Sequence, residues 1–170
     1  MTKIYGQVSI PGRFSVTVEA ESEFPKSYLE INIITIDDAA YMTDIFTGRW
    51  NQISADSLPF NLSGLGQTLA DIVDAVESPV AVSEERLRGV DTLRIKGQIA
   101  SQDLSELVPG AGEDFPVDLE LWLDREQGLL QQVHIIGRVV PTDDSGTVRQ
   151  LSLEDINQPV DISPPGIPSG

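Results

Sequence analysis

Residues 117–124 read VDLELWLD, in which Val117, Leu119, Leu121 and Leu123 alternate with Asp118, Glu120, Trp122 and Asp124. Successive side chains of a strand point to opposite faces, so a period of two predicts a strand with one buried and one solvent-facing side. The same alternation extends outward in both directions. Phe14, Val16, Val18 and Ala20 oppose Arg13, Ser15, Thr17 and Glu19, and Leu93, Ile95, Gly97 and Ile99 oppose Arg94, Lys96 and Gln98. Segments 28–36, 39–44, 49–53, 129–140 and 147–154 have strand composition, and 3–10 has it more weakly. In Tyr41–Ile53, YMTDIFTGRWNQI, the pair Thr47-Gly48 predicts a hairpin turn with Tyr41 on one arm and Trp50 on the other.

One segment breaks the period. In GLGQTLADIVDAV, Leu65, Leu69, Ile72, Val73 and Val76 fall at i, i+4, i+7, i+8 and i+11, the apolar stripe of a helix over 64–76. Ser63 is placed to cap its start and Pro79 to stop it. A shorter helix is predicted over 101–108, closed by Pro109. The end, DISPPGIPSG, reads as extended, with residues 164–170 a disordered tail. This is a mainly β chain with few helices (α+β), read as one meandering antiparallel sheet. A long sheet must bury one face, and a helix of about four turns does not cover eight or nine strands. The sheet must therefore curl, with helix 64–76 in its concavity around either a packed core or an apolar cavity.

Composition narrows the function. Eleven Lys and Arg against 27 Asp and Glu give a net charge of −16. Phosphate binding needs clustered basic residues, so nucleic acid is excluded as a partner, and electrostatic adsorption to anionic headgroups is disfavoured. Without cysteine there is neither a disulfide framework nor a thiolate metal site. No apolar run reaches the ~20 residues of a membrane-spanning helix, and MTKIYGQ has no signal-peptide pattern.

Catalytic motifs are thin. His134, the single histidine, has no metal-ligand spacing or triad around it and reads as a solvent-facing strand residue. The acid pairs Asp37-Asp38, Glu84-Glu85, Glu113-Asp114, Asp143-Asp144 and Glu154-Asp155 all fall at turns or strand ends, where solvated carboxylates are ordinary. A hydrolase would need two of them across a cleft. The GLG at 64–66 belongs to no phosphate-binding or nucleophile-elbow motif. The expectation is no enzyme, no cofactor and no metal. What remains is apolar surface.

Five ordered motifs carry a resemblance: IDDAAYMTDIFTGRWNQI at 36–53, SGLGQTLADIVDAV at 63–76, EERLRGVDTLRIKGQIASQDLSELVP at 84–109, FPVDLELWLDREQGLLQQVHI at 115–135 and VRQLSLEDINQPVDISPP at 148–165. Together, from about Tyr5 to Pro165, they resemble the LppX/LprA/LprF/LprG lipoproteins of the bacterial cell envelope, whose half-barrel is similar to that of the lipoprotein carriers LolA and LolB. The resemblance implies a strongly curved antiparallel half-barrel, a single domain over 1–163, with helices on the concave side enclosing a hydrophobic cavity. It further implies binding of acyl chains of lipids or glycolipids and their carriage across the envelope. The family's export signal, lipidated cysteine and first helix have no counterpart here, so attachment to the outer face of the cytoplasmic membrane would need an anchor outside this chain. The aromatic of the closing motif is Ile156 here.

The cavity wall expected from this resemblance comprises Leu65, Leu69, Ile72, Val73 and Val76 of the helix, with Ile31, Ile33, Leu93, Ile95, Leu119, Leu121, Leu123, Val133 and Ile135 of the strands, and Tyr41 and Trp50 of the hairpin. Self-association through an unprotected sheet edge is a further expectation. The alternative is a non-catalytic interaction module of the envelope with a fully packed core, docking a protein through a sheet edge or the 41–53 hairpin.

Overall fold

The computed structural model describes residues 2–23, 26–58, 62, 64–112 and 114–166. They form two antiparallel five-stranded sheets and one α-helix. The first sheet comprises β1 (Thr2–Ser9), β2 (Arg13–Glu23), β3 (Lys26–Ile36), β4 (Ala39–Thr43) and β5 (Trp50–Ser54), in that spatial order. The second runs β6 (Glu77–Leu87), β7 (Val90–Ala100), β8 (Pro116–Asp124), β9 (Leu130–Ile136) and β10 (Val148–Ser152), again in sequence order. Along the chain, α1 (Leu65–Asp74) falls between β5 and β6. The chain divides into two compact units, one of residues 1–66 with 159–170 and one of residues 67–158.

The single meander expected from the alternation is thus two meanders. No ladder joins β5 to β6, because a 3-10 turn (Ala55–Ser57) and α1 occupy the connection. The weak candidate at 3–10 is a full strand, in register with β2 from Thr2↔Ala20 to Ser9↔Arg13. Residues 77–87 were not expected as a strand, since Glu77-Ser78-Pro79 reads as helix termination. Instead α1 ends at Asp74 and the chain enters an edge strand directly. Register breaks between Glu77 and Val80 and between Ala81 and Ser83, and Ser78 takes φ 51°. Proline and bulges are tolerated there because only one side of an edge strand is hydrogen-bonded. Gly97 makes the crossing possible. A Cβ there would lie 2.3 Å from Val76 Cγ1 and 2.9 Å from the Glu77 carbonyl oxygen.

The expected helix at 101–108 is shorter than predicted. It is a 3-10 helix (Ser101–Leu104) followed by turns, whose Leu104 is fully buried. Ser101 Oγ donates to the Gly112 carbonyl at 2.7 Å and accepts from Phe115 N at 3.1 Å, tying both ends of the 101–115 connection together. Ser63, Glu113 and the last four residues of the predicted tail lie outside the described residues.

Candidate functional site

Antiparallel partners share a face, so register converts the sequence into rows of side chains. In the first sheet, Val8, Phe14, Thr35, Ala40 and Ile53 form one cross-strand row, and Val16, Ile33 and Met42 form the next. Phe14, Val16 and Ile33 are buried in a cluster against Leu58 and Leu62. Two residues further along the strands the row is Ile4, Val18 and Ile31, and cover thins: Val18 and Ile31 are half-buried and Ile4 is 53% exposed. Leu29, in the row after, is 36% exposed. The apolar face is therefore sealed at one end and open at the other. Within the sealed end the buried Thr35 hydroxyl has no hydrogen-bond partner among the described residues.

The second sheet shows the same gradation. Val117, Leu119, Leu121, Val133 and Ile135 are buried with Ile72 of α1, Ile99, Leu104 and Val139. Val73, Val76, Ile95, Leu130 and Leu151 pack at the margin of this cluster and stay half-buried. The cross-strand row Leu93, Leu123 and Leu130 is apolar and half-buried, and it ends at the exposed Glu84 on the edge strand β6. On α1, Leu69 and Ile72 are buried, while Leu65 and Val73, and Val76 just beyond the end of the helix, are not fully covered.

The structure separates two of the expected wall residues from the rest. Tyr41 pairs with Gln52 and Ile34, and Trp50 pairs with Thr43, which puts both on the face opposite Ile31, Ile33 and Phe14. The hairpin turn is also longer than Thr47-Gly48. It spans residues 44–49, with Asp44 N donating to the Arg49 carbonyl at 2.9 Å and Gly48 N to that of Asp44 at 2.8 Å.

Sequence alternation missed the other face of the second sheet. Glu120, Trp122 and Asp124 were expected in solvent, yet all three are buried because β8 is the central strand. Glu120 pairs with Arg94 and lies 2.7 Å from Lys96 Nζ. Burial pushes the Glu120 carboxyl up, but the hydrogen bonds and charges of Lys96 and Arg94 together outweigh it and hold the group below its ordinary value. The Trp122 indole N–H donates to Glu85, and Arg94 stacks 5.1 Å above its ring. His134 is half-buried rather than solvent-facing, 4.6 Å from the Trp122 ring edge-on, with Nε2 3.0 Å from Gln150 Oε1 and 3.1 Å from Gln132 Nε2. The signal was available in the complementary residue types at Arg94, Lys96, Glu120, His134 and Gln150, but using it requires the register.

Members of several of the acid pairs have partners within the fold. Glu84 pairs with Arg125 and Glu154 with Arg88, and Asp144 accepts from Gly146 N. Asp143 departs furthest from a solvated acid, with an 11% exposed side chain. Its Oδ2 accepts from Val139 N at 3.0 Å and Val140 N at 2.9 Å, while Arg149 holds both oxygens. The Arg149 hydrogen bond, aided by the two backbone donors, outweighs burial and lowers the carboxyl from 3.8 to about 2. Because the folded value is depressed, this stabilisation is complete above the unfolded value and is lost as pH falls from about 4 to about 2. Asp143→Asn should destabilise by about 1–2 kcal/mol at neutral pH and flatten the acid limb of the stability curve in that window, as followed by denaturant titration. No cluster of three or more His, Cys, Asp or Glu able to hold a metal ion occurs among the described residues.

Comparison with known proteins completes the picture. No curated protein matches the chain. Among solved structures, LprF from Mycobacterium bovis superposes with a TM-score of 0.65 at 14% identity, covering 96% of this chain and 87% of that one. LppX from Mycobacterium tuberculosis superposes with a TM-score of 0.55 at 16% identity, covering 95% and 86%. At these identities the likeness is one of fold. Residues 1–162 match the LppX_LprAFG lipoprotein family, and with both sheets and α1 lying inside that span, the chain belongs to this family.

Proposed function

We propose that this protein binds the acyl chains of lipids or glycolipids on its apolar sheet faces and carries them through the cell envelope as a non-catalytic lipoprotein-type carrier. The observation that carries the reading is the gradation of cover along each apolar face. Rows such as Leu93–Leu123–Leu130 and Ile4–Val18–Ile31 continue the buried cores without being closed over. Apolar surface continuous with a core but only half removed from water is suited to a ligand made of methylenes. About fifteen methylenes at ~0.8 kcal/mol each offer roughly 12 kcal/mol gross, so affinity needs no single polar anchor. A strongly curved half-barrel with α1 on its concave side, enclosing one hydrophobic cavity, is the arrangement this function requires.

The test is mass spectrometry of an organic extract from protein purified without detergent, with native mass spectrometry for stoichiometry. Near-stoichiometric lipid is expected. Lipid-free protein that also refuses added fluorescent fatty acid would overturn the reading and leave an interaction module with the family's fold.

A further inference from the structure

The most exposed large apolar side chain among the described residues is at the tip of the β4–β5 hairpin. Phe46 is 89% exposed and its neighbour Ile45 is 48% exposed. Exposed apolar tips are costly in a mobile loop and useful in a rigid one, and this loop is built to be rigid. Asp44 Oδ1 accepts from Phe46 N at 3.1 Å, from Thr47 N at 2.8 Å and from Thr47 Oγ1 at 2.8 Å, and Gly48 reverses the chain at φ 66°. The backbone of the tip is thus held by its own first residue, while Phe46 and Ile45 point away from any core.

The surroundings of the tip are graded. Directly below it is Trp50, paired with Thr43 in the last rung of the ladder, and two residues further is Tyr41, on the same face. Both are half-buried. Arg49 is exposed and its guanidinium has no partner among the described residues. Residues 45–55, IFTGRWNQISA, contain no acid, although the chain carries 27. Of the two carboxylates that flank this stretch, Asp44 is turned into the loop and Asp56 lies beyond β5, in the 3-10 turn at the end away from the tip. In order from the tip come two apolar side chains, a cation, an indole and a phenol. That order matches the layering of a bilayer surface, where aliphatic and phenyl groups enter the acyl region and Trp and Tyr sit at headgroup level.

We propose that the 44–49 loop is a membrane-docking finger that inserts Ile45 and Phe46 into the interfacial region of a phospholipid bilayer, with Arg49 at the phosphates and Trp50 and Tyr41 at headgroup depth. Size favours lipid over protein as the occupant. A specific protein contact covers ~800 Å² on each partner, whereas a phenylalanine with one aliphatic neighbour offers a fraction of that. The net charge of −16 assigns the lipid: repulsion from an anionic surface makes a zwitterionic one the preferred target. The proposal rests on the loop alone and holds whatever ligand the apolar faces carry.

The test is flotation of the intact chain with phosphatidylcholine vesicles, together with quenching of Trp50 by brominated phosphatidylcholine. Trp122, being buried, provides a constant background. Wild type should float and be quenched, with little dependence on salt. The double variant Ile45→Ser with Phe46→Ser should lose at least about tenfold in vesicle partitioning, with unchanged thermal unfolding and unchanged fatty-acid binding in vesicle-free solution. Phe46→Trp should retain binding. Equal flotation of wild type and the double variant, or no flotation of wild type, overturns the proposal. So does a dimer in native mass spectrometry that the double variant abolishes, since the tip is then a protein contact. Fatty-acid binding is read without vesicles, so failure of the finger and failure of the carrier reading are separate results.

Discussion

Ile72→Asp should unfold the 67–158 unit rather than simply empty a binding surface. Ile72 is 1% exposed and packs in the cluster of Leu119, Leu121, Val133 and Ile135. An aspartate there is a carboxylate with no described cation beside it, and burying such a group costs at least about 4 kcal/mol. The truncation Ile72→Ala, which introduces no charge, should cost about 2–5 kcal/mol through lost transfer energy and the cavity left behind. Urea titration followed by circular dichroism measures both, and an alanine variant within 0.5 kcal/mol of wild type would show that α1 is not anchored by this side chain. Changes intended to test ligand binding belong instead at half-buried rows. Leu93→Gln alters the open end of the same face without opening the sealed core.

Trp122→Ala should be nearly as severe, at about 3–5 kcal/mol. Trp122 is only 5% exposed, although it lies on the face of the second sheet opposite the Ile72 cluster. Its ring is wedged between the Arg94 guanidinium and the His134 imidazole, and its N–H ends on Glu85 of the edge strand. Removing it opens a hole under those groups and frees Glu85. Trp122→Phe keeps a six-membered ring but loses the pyrrole part and the hydrogen bond, so it should cost less, about 1–3 kcal/mol. A ratio near one between the two variants, measured by the same titration, would mean that the ring itself contributes little. In that case the ion pairs around Glu120 would have to hold this face.

These two residues show where the sequence was readable and where it was not. Ile72 stands in a helical stripe whose period announces its burial, and the structure places it accordingly. Trp122 stands at an outward position of a clean alternation. Alternation distinguishes two faces but does not say that the second face of a central strand is covered by long side chains from its neighbours. That cover comes from Arg94, Lys96, Gln132 and Gln150, and it becomes visible only when β7, β8, β9 and β10 are set in register. The same gap placed Tyr41 and Trp50 with Ile31 and Ile33: their apolar character was legible, but their face depends on where the pairing of β3, β4 and β5 starts. Residues 77–87 were missed for a different reason. Edge strands tolerate a proline, and Pro79 is also the mark by which the end of a helix is read from sequence. Asp143 was misread as a solvated turn acid because its partner, Arg149, lies across a loop.

The order of strands has a consequence for how the chain is made. Every strand pairs only with strands next to it in sequence, so each ladder closes locally, the longest connection being residues 101–115, and folding can proceed hairpin by hairpin. The two units differ in one respect. Residues 67–158 are contiguous, whereas the first unit also takes in residues 159–170, where Ile162 is buried. On a ribosome the later unit therefore has all its parts before the earlier one does. The first unit waits for a segment that is made only after the whole of the second.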